Sequence, residues 1–119
     1  TASEAQTTRA LVAFEKAAPP ASAVRAYQTG LTRWPDAVTL ALGLGNSLYK
    51  AGDLRGAEAA FREAARRHDS AAAWNNLASV LLELNRLAEA RDAATRAVAL
   101  GGPTLNAARE TLRQVEAGR

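Results

Sequence analysis

Three consecutive residues, His68, Asp69 and Ser70, are of the types that form a hydrolase triad. Such a triad requires its nucleophile, base and orienting carboxylate to converge in space, whereas the side chains of adjacent residues point in different directions. We therefore expect structural roles. His68 suits the carboxyl end of a helix, where a cationic imidazole meets the helix dipole favourably, and Ser70 suits the amino-terminal cap of the next helix.

Other groups capable of chemistry are sparse. The chain has no cysteine and a single histidine, so no disulfide, thiolate nucleophile or zinc site of the usual kind is predicted. Carboxylates such as Glu58 and Glu63 lie among arginines at helical spacing, which indicates a solvated, ion-paired face. Gly43-Leu44-Gly45 lacks the preceding strand and the third glycine of a dinucleotide-binding turn. The sequence therefore predicts a domain without catalytic residues, cofactor or metal.

The composition describes a folded chain that is built from small side chains. Of the 119 residues, 48% are hydrophobic and 23% are charged, as in globular domains. Only 5% are aromatic while 30 are alanine, so helices must approach closely to form a core. The net charge is +3, and acidic residues are interleaved with the 13 arginines, which argues against nucleic-acid binding. The apolar runs are far shorter than the roughly 20 residues that span a bilayer, so no transmembrane segment is expected.

Apolar periodicity and helix-breaking residues predict seven helices. The first ends before Pro19-Pro20, and the second ends at Trp34-Pro35, because a residue before proline is disfavoured in the helical region. The next four are predicted at about 37–50, 54–67, 71–84 and 86–100, and a shorter final helix follows Gly101.

Local residues also predict how these helices begin and end. Gly52 suits the left-handed end of the third helix, and Asp53 and Ser70 suit the caps of the fourth and fifth. Asn85 can either end the fifth helix or cap the sixth.

Two stretches of the chain match at an offset of 33 residues. A period of this length is typical of a solenoid in which each helical hairpin buries its apolar face against its neighbours. Several recurring residues are small, so we expect them to lie where helices approach closely. Leu44, Gly45, Leu48, Leu54, Ala57 and Ala64 return as Leu77, Ala78, Leu81, Leu87, Ala90 and Ala97.

This unit resembles the tetratricopeptide repeat, whose units of about 34 residues place a small residue of the first helix against alanines of the second. The first repeat, about 3–35, is diverged, because Leu11 stands where glycine or alanine is expected. The resemblance implies an all-α, right-handed superhelical array of three hairpins and a capping helix at about 104–117, forming one domain over 1–119. The residues that carry it are Leu44-Gly45, Gly52-Asp53, Ala57, Phe61 and Ala64 in the repeat at 36–69, and Trp74, Leu77-Ala78, Ala90, Ala94 and Ala97 in the repeat at 70–102.

The same resemblance implies a protein- or peptide-binding scaffold, because the first helices of these hairpins line a concave groove in the family. Asparagine side chains in this groove can donate hydrogen bonds to a peptide backbone and accept hydrogen bonds from it. The alternative is that these asparagines are only solvated. Asn46 and Asn76 fit two positions with which chaperone-binding members clamp a carboxyl terminus, but Leu42 replaces the first clamp lysine, which argues against a chaperone-tail adaptor. The predicted groove residues are Thr8, Val12, Leu42, Asn46, Tyr49, Lys50, Asn75, Asn76, Ser79 and Leu82.

A second resemblance concerns a larger protein. Trp34-Pro35-Asp36 and the segments 41–46, 74–78 and 97–103 are similar to carboxyl-terminal repeats of bacterial exported cysteine peptidases of the C39-like type. This resemblance implies an accessory domain that recruits substrate and that is located in the periplasm or at the outer membrane. If the protein is not such a peptidase, we expect it in the cytoplasm. A third hypothesis is a self-assembly module with weak association between copies. The lack of methionine and isoleucine, with abundant alanine and arginine, predicts a piece of a longer bacterial protein.

Overall fold

The structure is a computed structural model that describes residues 2–118. Over this range the chain forms seven α-helices and no strand, which confirms the all-α prediction. For the third to sixth helices, the predicted bounds differ from the observed ones by one residue at one end. The helices are α1 (Glu4–Ala17), α2 (Pro20–Arg33), α3 (Val38–Lys50), α4 (Leu54–His68), α5 (Ala71–Glu83), α6 (Leu87–Leu100) and α7 (Leu105–Glu116), with a short 3-10 helix at Gly102–Thr104.

Side-chain caps define where several helices begin. Asp53 Oδ1 accepts a hydrogen bond from the backbone amide three residues later at 2.8 Å, and Ser70 Oγ does the same at 3.2 Å. Both caps were predicted. An additional capping box starts α1, where Ser3 and Gln6 exchange side-chain to backbone hydrogen bonds.

Left-handed residues define where α3 and α5 end. Gly52 has a φ of 87°, as predicted, and Asn85 has a φ of 60°. Asn85 therefore ends α5, and the cap position of α6 belongs to Arg86, which makes no side-chain capping hydrogen bond. This decides between the two roles that the sequence left open for Asn85.

The chain divides into two compact units, and the division falls within α4, after Ala60. In the first unit, α2 packs on α3, and α1 lies against both. In the second unit, α5 and α6 form a tightly packed hairpin against which α7 lies. That the whole chain forms one domain stays a prediction. The core of the first unit contains Tyr27, Ala37 and Leu40, with Leu11, Leu31, Trp34 and Leu44 packed against them.

Alanines fill the α5–α6 hairpin. Ala78 on α5 and Ala90, Ala94 and Ala97 on α6 are all 0% exposed. A methyl group at these positions lets two helix backbones approach closely, so that dispersion contacts are made with little side-chain volume. The prediction that the recurring small residues pack is confirmed.

The divergence of the first repeat is explained by an exchange of side-chain sizes. Leu11 stands where later repeats carry glycine or alanine, and Gly30 stands where they carry Ala64 and Ala97. A Cβ on Gly30 would lie 2.8 Å from Leu11 Cδ1, which is too close for any real contact. The larger residue on α1 is therefore accommodated by a smaller one on α2.

The final helix packs through one face, on which buried residues recur at helical spacing. Ala108 and Val115 are buried at 0% and 1% exposure, whereas Arg109 is exposed. Thr111 is buried on the same face, and its Oγ1 donates to the Ala107 carbonyl at 3.0 Å. This bond satisfies the hydroxyl within its own helix, which allows a polar residue at an apolar position.

Candidate functional site

Six of the predicted groove residues lie in the first unit. On each helix their spacing places them on one face. Val12 and Tyr49 are 37% and 42% exposed. Asn46 and Lys50 are also exposed, while Thr8 and Leu42 are partly buried. The six are Thr8 and Val12 on α1, and Leu42, Asn46, Tyr49 and Lys50 on α3.

A polar network joins these faces of α1 and α3. Lys50 Nζ lies 2.8 Å from Glu15 Oε2, and the hydroxyl of buried Tyr27, on α2, donates to Glu15 Oε1 at 2.6 Å. Partial burial opposes the ionisation of Glu15, but hydrogen bonds from Lys50 and Tyr27 outweigh it and lower its pKa. Burial, together with the bond to Glu15, raises the pKa of Tyr27 and keeps its hydroxyl a donor. The network thus holds Lys50 in place on the predicted binding face.

The other four predicted groove residues lie on α5, and Asn75 differs from the rest. It is 9% exposed, whereas Ser79 is exposed and both Asn76 and Leu82 are partly buried. Ser79 Oγ donates to the Asn75 backbone carbonyl at 3.2 Å. The Asn75 side-chain Oδ1 is buried and accepts no hydrogen bond from any described residue. Asn75 therefore holds an unsatisfied acceptor below the surface, while the hydroxyl of exposed Ser79 is bonded to its own helix.

The His-Asp-Ser string serves helix ends and packing. α4 ends at His68 and Ser70 caps α5, as predicted. Asp69 Oδ1 accepts from Arg96 Nε at 3.0 Å and from Trp74 Nε1 at 2.8 Å. These hydrogen bonds, the one from Arg96 first, lower the pKa of Asp69. Its pairing with Arg96, which lies 27 residues away in the sequence, was not predicted because only tertiary packing brings the two together.

Several other carboxylates form surface ion pairs. Glu63 Oε2 lies 3.7 Å from Arg67 Nη1, which supports the predicted ion-paired face. Across the part of the chain that the structure describes, no three metal-ligating side chains are grouped closely enough to hold a metal ion. The described helices include none that is both long and apolar enough to cross a bilayer.

Known proteins that resemble this chain are built from the same kind of helical hairpin. The chain is similar in structure to the TPR2B domain of yeast Sti1, which was solved in complex with pHsp70. The similarity covers 98% of each chain, with a TM-score of 0.86 and 16% sequence identity. At this identity the match shows the fold alone. No curated protein matches the chain, and the similarity to cysteine peptidases stays a prediction. A family model described as tetratricopeptide repeat matches residues 7–54 and 42–103. The chain therefore belongs to the tetratricopeptide repeat family.

Proposed function

We propose that this chain is a non-catalytic scaffold that holds a protein or peptide segment on α1, α3 and α5, the first helices of its hairpins. Tetratricopeptide repeats are in general non-catalytic modules for protein interaction, and the similar domain of Sti1 is in complex with pHsp70. The proposal rests chiefly on the exposed face of α3. There Tyr49 is 42% exposed, one helical turn from exposed Asn46 and beside exposed Lys50.

These three side chains offer complementary contacts to a peptide. The Tyr49 ring supplies apolar area that loses little conformational entropy on binding. The Asn46 carboxamide has both donors and acceptors for a peptide backbone. The Lys50 side chain, whose ammonium lies 2.8 Å from Glu15 Oε2, remains 55% exposed and is accessible to polar groups of a partner.

Equivalent positions of the three repeats support the same assignment. Val12, Asn46 and Ser79 occupy the same repeat position on α1, α3 and α5, and all three are exposed. In contrast, the preceding residues of the second and third repeats, Gly45 and Ala78, are buried. Packing explains the small residues but does not require the varied, exposed ones, which are suited to binding.

The double variant Asn46→Ala with Asn76→Ala tests this proposal. Each substitution removes a carboxamide whose hydrogen bonds contribute about 0.5–1.5 kcal/mol, so we expect capture of a partner from lysate to fall about tenfold. Capture is measured by quantitative mass spectrometry of proteins retained on the immobilised chain, and the helical melt should not change. Asn106→Ala, on an exposed site of α7, is the matched control. Undiminished capture by the double variant would contradict the proposal.

A second candidate function, self-association, is favoured by an exposed face of α1. Phe14 is 45% exposed, and Ala10, one turn earlier, is exposed as well. The equivalent residues of the third repeat, Leu81 and Leu77, are each 1% exposed. A face that is buried in one repeat and open in another is suited to contact with a second copy.

If copies associate through this face, the mass measured by light scattering rises with concentration, and Phe14→Ser reduces that rise. Tyr49→Ser serves as the control, because it removes an exposed aromatic residue from a different helix. A monomeric mass over a wide concentration range would eliminate this candidate.

A further inference from the structure

A recess lies in the second unit and includes none of the predicted groove residues. It is a cavity of about 380 Å³ between α4, α5 and α6, which we call the Trp74 pocket. Leu77 and Leu81, each 1% exposed, and Ala93, 3% exposed, form its apolar floor. Trp74, Leu77 and Leu81 share one face of α5, whereas the predicted groove residue Ser79 lies on another.

The wall of the Trp74 pocket is held in place by hydrogen bonds. Trp74 Nε1 donates to Asp69 Oδ1 at 2.8 Å. Asp69 in turn pairs with Arg96, whose Nε and Nη2 donate to its two carboxylate oxygens. A guanidinium that donates two hydrogen bonds to one carboxylate is held in a defined orientation as well as paired in charge. The indole and the guanidinium therefore line a recess whose shape is set before any ligand enters.

The charges at the rim are compensated with one exception. Glu89 Oε1 lies 2.8 Å from Arg86 Nη2 and 3.3 Å from Arg62 Nη2. Asp92 is exposed and makes no ion pair or hydrogen bond with any described residue. Arg96 follows Asp92 at the i+4 spacing that often forms a helical ion pair, but Asp69 already engages its guanidinium. Asp92 therefore supplies a negative charge that can pair with a cationic group of a ligand.

We propose that the Trp74 pocket binds a lysine side chain of a partner protein. A lysine side chain combines an apolar stem with a terminal cation, which matches a leucine floor beside a carboxylate. Its methylene groups lie on Leu77 and Leu81, and its ammonium lies between Asp92 and the face of Trp74. The indole adds cation–π attraction to the charge pair. This site is separate from the groove, and its test does not depend on groove binding.

The test titrates the ¹⁵N-labelled chain with acetylated and amidated Gly-X-Gly peptides, in which X is lysine, norleucine or glutamate. Norleucine retains the aliphatic stem without the cation, so it isolates the contribution of charge. We expect the lysine peptide to shift the Trp74 indole resonance saturably, and the norleucine peptide to bind about tenfold more weakly. The glutamate peptide should cause no saturable shift, and added salt should weaken the lysine peptide.

Variants separate the site from the rest of the chain. Asp92→Asn should lower the affinity for the lysine peptide about tenfold with an unchanged helical melt. Glu116→Gln, which removes an exposed carboxylate of α7, should leave it unchanged, as should Asn46→Ala with Asn76→Ala. Equal binding of the lysine and norleucine peptides, or wild-type affinity in Asp92→Asn, would overturn the proposal. So would a Trp74 resonance that no peptide shifts.

Discussion

Gly43→Ala should destabilise the fold by about 2 kcal/mol, although alanine is the better helix former. A Cβ on Gly43 would lie 2.3 Å from Tyr27 Cζ, well inside van der Waals contact. The Tyr27 ring cannot readily move aside, because it is 1% exposed and its hydroxyl is bonded to Glu15. The steric cost therefore exceeds the roughly 0.5–1 kcal/mol that alanine gains within a helix. Urea unfolding followed by circular dichroism measures the difference.

A double-mutant cycle assigns this cost to the ring. In the Tyr27→Leu background the aromatic ring is absent, so adding Gly43→Ala should be neutral or stabilise the fold by up to about 0.5–1 kcal/mol. The single variant Tyr27→Leu is destabilised on its own account, since it leaves a cavity. If Gly43→Ala costs the same free energy in both backgrounds, contact with Tyr27 is not the reason for glycine at this position.

Ala97→Leu is expected to destabilise the chain by about 2–3 kcal/mol. Ala97 is 0% exposed in the closely packed second unit, and three additional carbon atoms there must displace neighbouring side chains or backbone. Ala99→Leu, two residues later on the same helix but exposed, is the matched control and should change stability by less than about 0.5 kcal/mol. The midpoint and slope of urea unfolding distinguish the two variants. Equal stability of the two would show that the helices are not packed as closely as their small residues indicate.

Local sequence patterns predicted the helices and most of their ends. Gly52, Asp53 and Ser70 act within one turn of their own positions, through a backbone conformation or a hydrogen bond to the third following amide. The repeat offset similarly marked Ala78 and Ala97 as packing positions, because a repeated unit imposes the same close approach at each occurrence.

The same patterns were less informative about side-chain partners. Lys50 was predicted on the binding face, but not its ion pair with Glu15, from which 35 residues separate it. Gly43 stood out only as part of a glycine string, and its contact with Tyr27 depends on how α2 lies across α3. Asn75 was predicted as a groove residue but is only 9% exposed. Successive residues of a helix point about 100° apart, so a shift of one position can move a side chain from an exposed face to a buried one.

The sequence by itself determined that this chain is a tetratricopeptide repeat with small residues at its helix contacts, because those properties depend on local propensity and on a repeated spacing. The tertiary structure alone decided which polar groups meet. Tyr27, Glu15 and Lys50 converge from three helices, and Asp69 holds Trp74 and Arg96 across the α5–α6 hairpin. Such contacts depend on side chains that are distant in sequence, whose direction and burial are set only when helices pack.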